Sequence, residues 1–316
     1  MRIRKLLSKI VGISVIAAGL GLFLYPDAKS FLLRQQAGQT IEDFEKTYGV
    51  KEEQESGSGR ADPSGSSWDF PGSAGLKEKA EWYNASIYEN GQADFKDAWS
   101  VAQSPVELTG LPDSLFGYVE IPAMEVKLPL YVGASASHMA KGAAILGATS
   151  LPIGGENTNS VIAGHRGYRG APYFREIEKL KPGDTVSITN PWEVLHYRVE
   201  SVDVILPDDS DAVKIREGKD MVTLLTCHPY RSNGKYRYVV YCVRAEGDQL
   251  WDEPGSGQKG QDPGWIISGD GSLFESSEPD IRMEQLLRRC GILLILVMIG
   301  ITAWKKLFRK KHYDEF

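Results

Sequence analysis

Cys227 closes an apolar run, Thr223-Leu224-Leu225-Thr226-Cys227, that reads as a strand. A thiol in that place sits at the rim of a sheet, where a second molecule can reach it. Alone, a cysteine at a strand end is more often an inert, half-buried small residue. A second apolar run, Val161-Ile162-Ala163, delivers His165 inside Gly164-His165-Arg166-Gly167, with glycines keeping the backbone slim around the imidazole as a peptide-threaded site would require. A thiol becomes a good nucleophile beside a base or a cation, and a histidine supplies either and can later protonate a leaving amine. Arg237 stands ten residues after the cysteine, at the start of a further strand that returns after a turn over 229–234. A guanidinium brought back toward the thiol can hydrogen-bond the oxygen on which negative charge develops in acyl transfer. Arg231 and Lys235 compete for that role. His228 adjoins Cys227, but neighbouring strand residues point to opposite faces, so it is a poor base and is read as tuning the pocket or binding substrate. No cluster of ligands at metal spacing is present, and thiol acyl transfer requires neither a metal nor an organic cofactor.

The elements that must position these groups are short strands, expected at 117–121, 128–131, 160–163, 185–188, 195–205, 221–226 and 237–244. Pro122, Pro129, Gly154-Gly155, Pro182-Gly183 and Pro207 punctuate them, which predicts a mainly β barrel or sandwich with a short helix over 172–180. Upstream, Ala80, Tyr83 and Ile87 recur at helical spacing within 76–88, and Phe31, Leu32, Ile41 and Phe44 do so within 30–48.

The 316 residues carry a formal charge of -6, and the basic residues crowd both ends, so the middle is more acidic than the total. An acidic middle argues against a nucleic-acid partner, whose phosphates call for a clustered basic surface. Residues 10–25 are uncharged and close to the length needed to span a bilayer, with no convincing cleavage site after them. A second apolar run, from Cys290 to Trp304, is followed by Lys305, Lys306, Arg309, Lys310 and Lys311. The positive-inside rule places both ends in the cytoplasm and the region between them outside, with membrane lipid as a partner. The expected organisation is a basic tail (1–9), a transmembrane anchor (10–26), a helical stalk (27–50), a flexible linker (51–75), an N-terminal helix and lid segment (76–110), a catalytic β-domain (111–246), a Gly-rich acidic tether (247–284), a second transmembrane helix (285–304) and a basic tail (305–316). Cys227 and Cys242 lie 15 residues apart on neighbouring strands, where a disulfide competes with a free, reactive Cys227.

With these residues in view, the chain resembles the sortases, cysteine transpeptidases of Gram-positive cell envelopes, whose signature is a Thr-Leu-x-Thr-Cys strand with an upstream histidine and a downstream arginine. The likeness covers about residues 76–244 and is sharpest in Leu151-Pro152-Ile153-Gly154-Gly155, Ala163-Gly164-His165-Arg166-Gly167 and Cys227-His228-Pro229-Tyr230, which look like the pilin-polymerising class C. It implies a closed sortase-type β-barrel, with Cys227, His165 and Arg237 as the catalytic set and Thr226, His228 and Gly164 shaping the site or binding substrate. The arginine falls one residue later than the family pattern, and His228 replaces the usual threonine. Class C members carry a lid with an Asp-Pro-aromatic plug; Asp97-Ala98-Trp99 stands at the corresponding place without the proline. The implied partners are pilins or surface proteins with a C-terminal Leu-Pro-x-Thr-Gly-like sorting signal, and the acceptor amine is a pilin lysine or a cell-wall precursor. The implied location is the membrane of a Gram-positive bacterium, with the catalytic domain outside.

Overall fold

The computed structural model describes residues 2–49, 73–92, 111–167, 173–230 and 234–245. All belong to one unit, Met1–Phe274. Eight strands form a closed barrel: β1 (Leu115–Ile121), β2 (Val126–Val132), β3 (Ala143–Ile145), β4 (Thr158–Ala163), β5 (Thr185–Thr189), β6 (Val194–Ile205), β7 (Asp220–His228) and β8 (Tyr236–Arg244). Their order around the barrel is β1-β2-β3-β4-β7-β8-β6-β5. Closure leaves no unpaired strand edge. Two pairings are parallel, β2 with β3 and β4 with β7; the others are antiparallel.

The period of two along each strand sorts side chains into two apolar layers. Val222 and Leu224 of β7, Tyr238, Val240 and Cys242 of β8 and Ile162 of β4 point into the barrel. Met221, Leu225, Val239, Tyr241, Val161 and Ala163 point to the other face, where Met139 and Val213 cover them. Each fully buried aliphatic side chain in these layers contributes roughly 1.5–3 kcal/mol.

Two helices precede the barrel. α1 (Arg2–Tyr48) is continuous over 47 residues, and the spacing of Ile41, Phe44 and Tyr48 puts one stripe of its last turns against the barrel. Phe44 meets Tyr118 edge-on at 6.1 Å between ring centroids, and Lys127 bridges from Tyr118 to Glu45 at 3.1 Å. The segment expected as a stalk therefore ends as a packed element of the fold. α2 (Ser73–Glu89) buries Leu76, Ala80, Tyr83 and Ile87. Its Asn84 clasps the backbone of Leu151, donating to the carbonyl at 2.9 Å and accepting from the amide at 2.7 Å.

Seven of the strands match the expected segments. β3 was not expected, nor was the short α3 (Ala136–Lys141) before it, which is capped by the Ser135 hydroxyl on the His138 amide. In place of the helix expected over 172–180, the described residues form turns and one 3-10 turn, Ile177–Lys179. Among the described residues no helix is long and apolar enough to cross a membrane. Most side chains of the expected span 10–26, and the whole of the expected span 285–304, lie outside the described residues; over 10–26 the backbone is helical.

Candidate active site

Cys227 stands directly opposite Arg237 in the antiparallel ladder of β7 and β8. Gly234, in the turn between those strands, takes φ +79, the left-handed region that glycine enters without steric cost. A Cβ at Gly234 would lie 2.6 Å from Arg237 Nη1 and 3.2 Å from Cys227 Sγ. Thiol and guanidinium thus converge on one small space that only glycine leaves open. Arg237 is held there by donating from Nη1 to the carbonyls of Gly234 at 2.6 Å and Tyr236 at 3.2 Å.

His165 arrives by the parallel pair. Ala163 is level with Leu225, the Gly164 amide donates to the Leu225 carbonyl at 3.1 Å, and the Thr226 hydroxyl donates to the Gly164 carbonyl at 2.6 Å. These bonds carry the two strands side by side to the level of His165 and Cys227, at the usual inter-strand spacing of about 4.8 Å. Alternation places Cys227 and Arg237 on the same outward face, and His165 follows two residues after Ala163, which faces the same way. The backbone after His165 is fixed by the Phe174 amide, which donates to its carbonyl at 2.9 Å.

Burial pushes the Cys227 thiol above its ordinary pKa, while the Arg237 guanidinium, and less strongly Arg166, pull it back down. The resting sulfur is therefore largely a thiol that needs its proton taken at the moment of attack. Lys235 is directed elsewhere, with Nζ 5.2 Å from the Tyr236 ring, and Arg231 lies outside the described residues. Of the two described rivals for the cation, Arg237 is the one that the structure brings to the thiol.

Thr226 and Gly164 are fully buried or nearly so beside the triad, and His228 is 2% exposed. The space around Gly164 is not left for a peptide. The Phe174 ring occupies it, 2.6 Å from where a Cβ would stand, and Tyr230 does the same at Gly167 at 2.7 Å. The glycines are there to admit aromatic rings behind the histidine. Cys242 is fully buried inside the barrel opposite Val222, five ladder steps from Cys227, or roughly 17 Å at the usual strand rise. Both cysteines are free, so the disulfide alternative does not form. Asp97 and Trp99 lie outside the described residues. No group of His, Cys, Asp and Glu among the described residues could hold a metal ion.

Sequence reasoning missed one group behind this site. Arg166, His228 and Glu178 meet in a buried cluster, with Arg166 Nη1 2.9 Å from His228 Nδ1 and Nη2 2.6 Å from Glu178 Oε1. Arg166 lies inside the glycine-flanked histidine motif, but nothing in the spacing points to Glu178.

A thiol on a closed barrel, faced by an arginine across one ladder and brought level with a histidine along another, defines a thiol acyl-transfer enzyme. The sortase-domain family model matches residues 119–245. The chain is 31% identical to the sortase C of Clostridium perfringens SM101, with 66% of this chain and 99% of that one covered at a TM-score of 0.51. Against the C. perfringens sortase C solved with the C-terminal cell wall sorting motif the identity is 32%, covering 67% and 100%, with a TM-score of 0.53. Sortase C1 of GBS pilus island 1 is 29% identical, covering 67% and 93%, with a TM-score of 0.55. Among curated relatives, Sortase A of Bacillus anthracis is 29% identical over 157 residues, 48% of this chain and 72% of that protein. The chain belongs to the sortase family of cysteine transpeptidases.

Proposed function

We propose that this chain is a class C sortase that polymerises pilins. Cys227, its proton passed to His165, attacks the carbonyl carbon of threonine in a Leu-Pro-x-Thr-Gly-like sorting signal. Arg237 steadies the oxyanion, and His165 protonates the glycine amine as the Thr-Gly bond breaks and the thioester remains. A lysine amine of the next pilin then attacks the thioester; His165 accepts its proton, an isopeptide bond forms and the thiol is released. The observation that carries this reading is the convergence of Cys227 and Arg237 on Gly234, with His165 delivered to the same level. The class is favoured by the likeness to sortases C, one of them solved with a cell wall sorting motif. In this reading Asp97 and Trp99 form a lid over the site, and the segments 10–26 and 285–304 hold the enzyme in the membrane of a Gram-positive bacterium with the barrel outside.

The likeness to Sortase A of Bacillus anthracis supports a second reading, in which a cell-wall precursor supplies the amine and surface proteins are anchored to peptidoglycan. Co-expression with a pilin bearing the sorting signal decides between them. Polymerisation gives a ladder resistant to SDS that is absent with Cys227→Ala, whereas anchoring gives single pilins released by cell-wall hydrolases.

A further inference from the structure

His228 follows Cys227 at the end of β7, so strand alternation turns it to the opposite face, into the barrel, and Arg166, three residues past the end of β4, reaches it there. There they bond to each other. Arg166 Nη1 lies 2.9 Å from His228 Nδ1, Arg166 Nη2 lies 2.6 Å from Glu178 Oε1, and Glu178 Oε1 lies 3.4 Å from His228 Nδ1. The guanidinium also reaches the Arg175 carbonyl from Nε at 3.5 Å, and the Tyr238 ring of β8 closes the cluster, 5.7 Å from the His228 ring. The side chains of Arg166 and His228 are 2% exposed and that of Glu178 7%.

Arginine has donors and no acceptor, so in its contact with Arg166 it is His228 Nδ1 that offers a lone pair. Ion pairs buried this deeply gain little over apolar packing, because desolvation offsets their attraction. Stability alone is a weak reason for a charged arginine and a carboxylate here. Their position is a stronger one: the bond from Arg166 to His228 ties the residue behind His165 to the residue behind Cys227.

We propose that Arg166, Glu178 and His228 are positioning residues, a brace on the back of the site that fixes the spacing between the His165 imidazole and the Cys227 sulfur. The proposal rests on the catalytic roles given above to those two residues. Glu178 orients the guanidinium, the guanidinium holds His228, and His228 holds the end of β7. Arg166 also acts on the thiol directly, as the second cation that lowers its pKa. Proton transfer between sulfur and nitrogen is steep in distance, and a displacement near 1 Å can cost about a hundredfold in rate.

The test compares the parent, His228→Leu and His228→Asn in the full chain, using a sorting-signal peptide and normalising rates to the thiol titrated by iodoacetamide. Asparagine places Oδ1 near the position of Nδ1 and can accept from Arg166; leucine cannot. His228→Leu should lower kcat about ten- to a hundredfold with KM unchanged, and His228→Asn should recover most of it. A kcat in His228→Leu equal to the parent's, or equal losses in both variants, overturns the brace. Should His228→Leu not fold, a folded His228→Asn with a depressed kcat overturns it equally, and one with the parent's kcat supports it. If the parent does not cleave the peptide, it is the functional reading that fails. The brace is then judged on the alkylation rate of Cys227, which should fall in His228→Leu and recover in His228→Asn; equal rates in all three proteins overturn it.

Discussion

An arginine of β8 stands near each extremity of the ladder of β7 and β8, and the two are put to different uses. Near one end Arg237 faces Cys227; at the other, one step beyond the Met221–Val243 pair, Arg244 Nη1 approaches Asp220 Oδ2. Cys227 and Asp220 are seven positions apart along β7, an odd number, so the two pairs point to opposite faces. Asp220 is enclosed: it accepts from the Tyr197 hydroxyl at 3.0 Å and the Gly155 amide at 3.0 Å, with Arg244 Nη1 at 3.9 Å. There the cation meets a ready-made anion and its charge is used in holding the fold. At the other end it stands beside an acid that rests protonated, and on the proposed mechanism its field is called upon only when charge appears during the reaction. The same side chain becomes scaffold or machinery according to the acidity of the group across the ladder.

Exchanging the roles is the sharpest way to break this contrast. Arg237→Ala should lower turnover of a sorting-signal peptide about 10²–10³-fold while barely moving the thermal midpoint. Arg244→Ala should do the reverse, and comparable losses of turnover in both would erase the distinction. Arg237 lowers the Cys227 pKa, so its removal should push the alkylation profile of the thiol to higher pH and slow alkylation at any fixed pH below the plateau.

The next largest effect belongs to Asp220→Ala, which orphans the Tyr197 hydroxyl and the Gly155 amide and should cost about 1–3 kcal/mol in urea unfolding. A subtler variant sharpens the point. Burial raises the Asp220 pKa, more than the donors Tyr197, Arg244, Gly155 and Thr158 lower it. A carboxyl with a raised pKa in the fold contributes stability that is complete below its unfolded value of about 3.9 and is lost as pH rises through the folded value. Asp220→Asn does not titrate, so its stability relative to the parent should improve as pH is raised from about 4 toward neutrality. A flat difference across that range would mean that the carboxylate is not strained by its burial.

The smallest effect is expected inside the barrel, five ladder steps from Cys227. Cys242 is fully buried and desolvation raises its pKa far above the ordinary range, so it should resist iodoacetamide in the folded enzyme. Cys242→Ala should leave turnover unchanged and cost only about 1 kcal/mol of stability, the scale of a small cavity. Loss of activity in this variant would show that the interior of the ladder, and not only its end, tunes the site.

Much of this was legible in the sequence because strands announce themselves locally. Residues 221–226 and 237–244 are β-branched, aliphatic and aromatic runs between turn residues, and both became strands. That an arginine would come back to the thiol followed from antiparallel pairing, although only the register puts Arg237, and not Lys235, opposite Cys227. β3 escaped notice because three residues beginning Ala-Ala carry little strand propensity and are held by Leu130, Tyr131 and Val132 alongside. The Arg166–Glu178–His228 cluster escaped for a deeper reason. Its members come from a loop, a 3-10 turn and a strand end, and nothing local distinguishes a buried charge from the solvated one that sequence statistics lead one to expect. The glycines around His165 were legible as tight places, while the identity of what fills them, Phe174 and Tyr230, is a matter of tertiary packing.

The unbroken α1 has a mechanical corollary. At 1.5 Å per residue its 47 residues make a rod of about 70 Å, and its packed stripe begins only near Leu33. A rod joined to the barrel by side-chain contacts transmits torque, so whatever holds its far end sets the compass heading of Cys227 as well as its height. Inserting a single alanine near residue 28 would swing the far end by about 100° relative to the barrel for a lift of only about 1.5 Å, while seven added residues would raise it by about 10 Å and nearly restore the original heading. Aim and reach can therefore be dialled separately in this protein by counting residues in one helix.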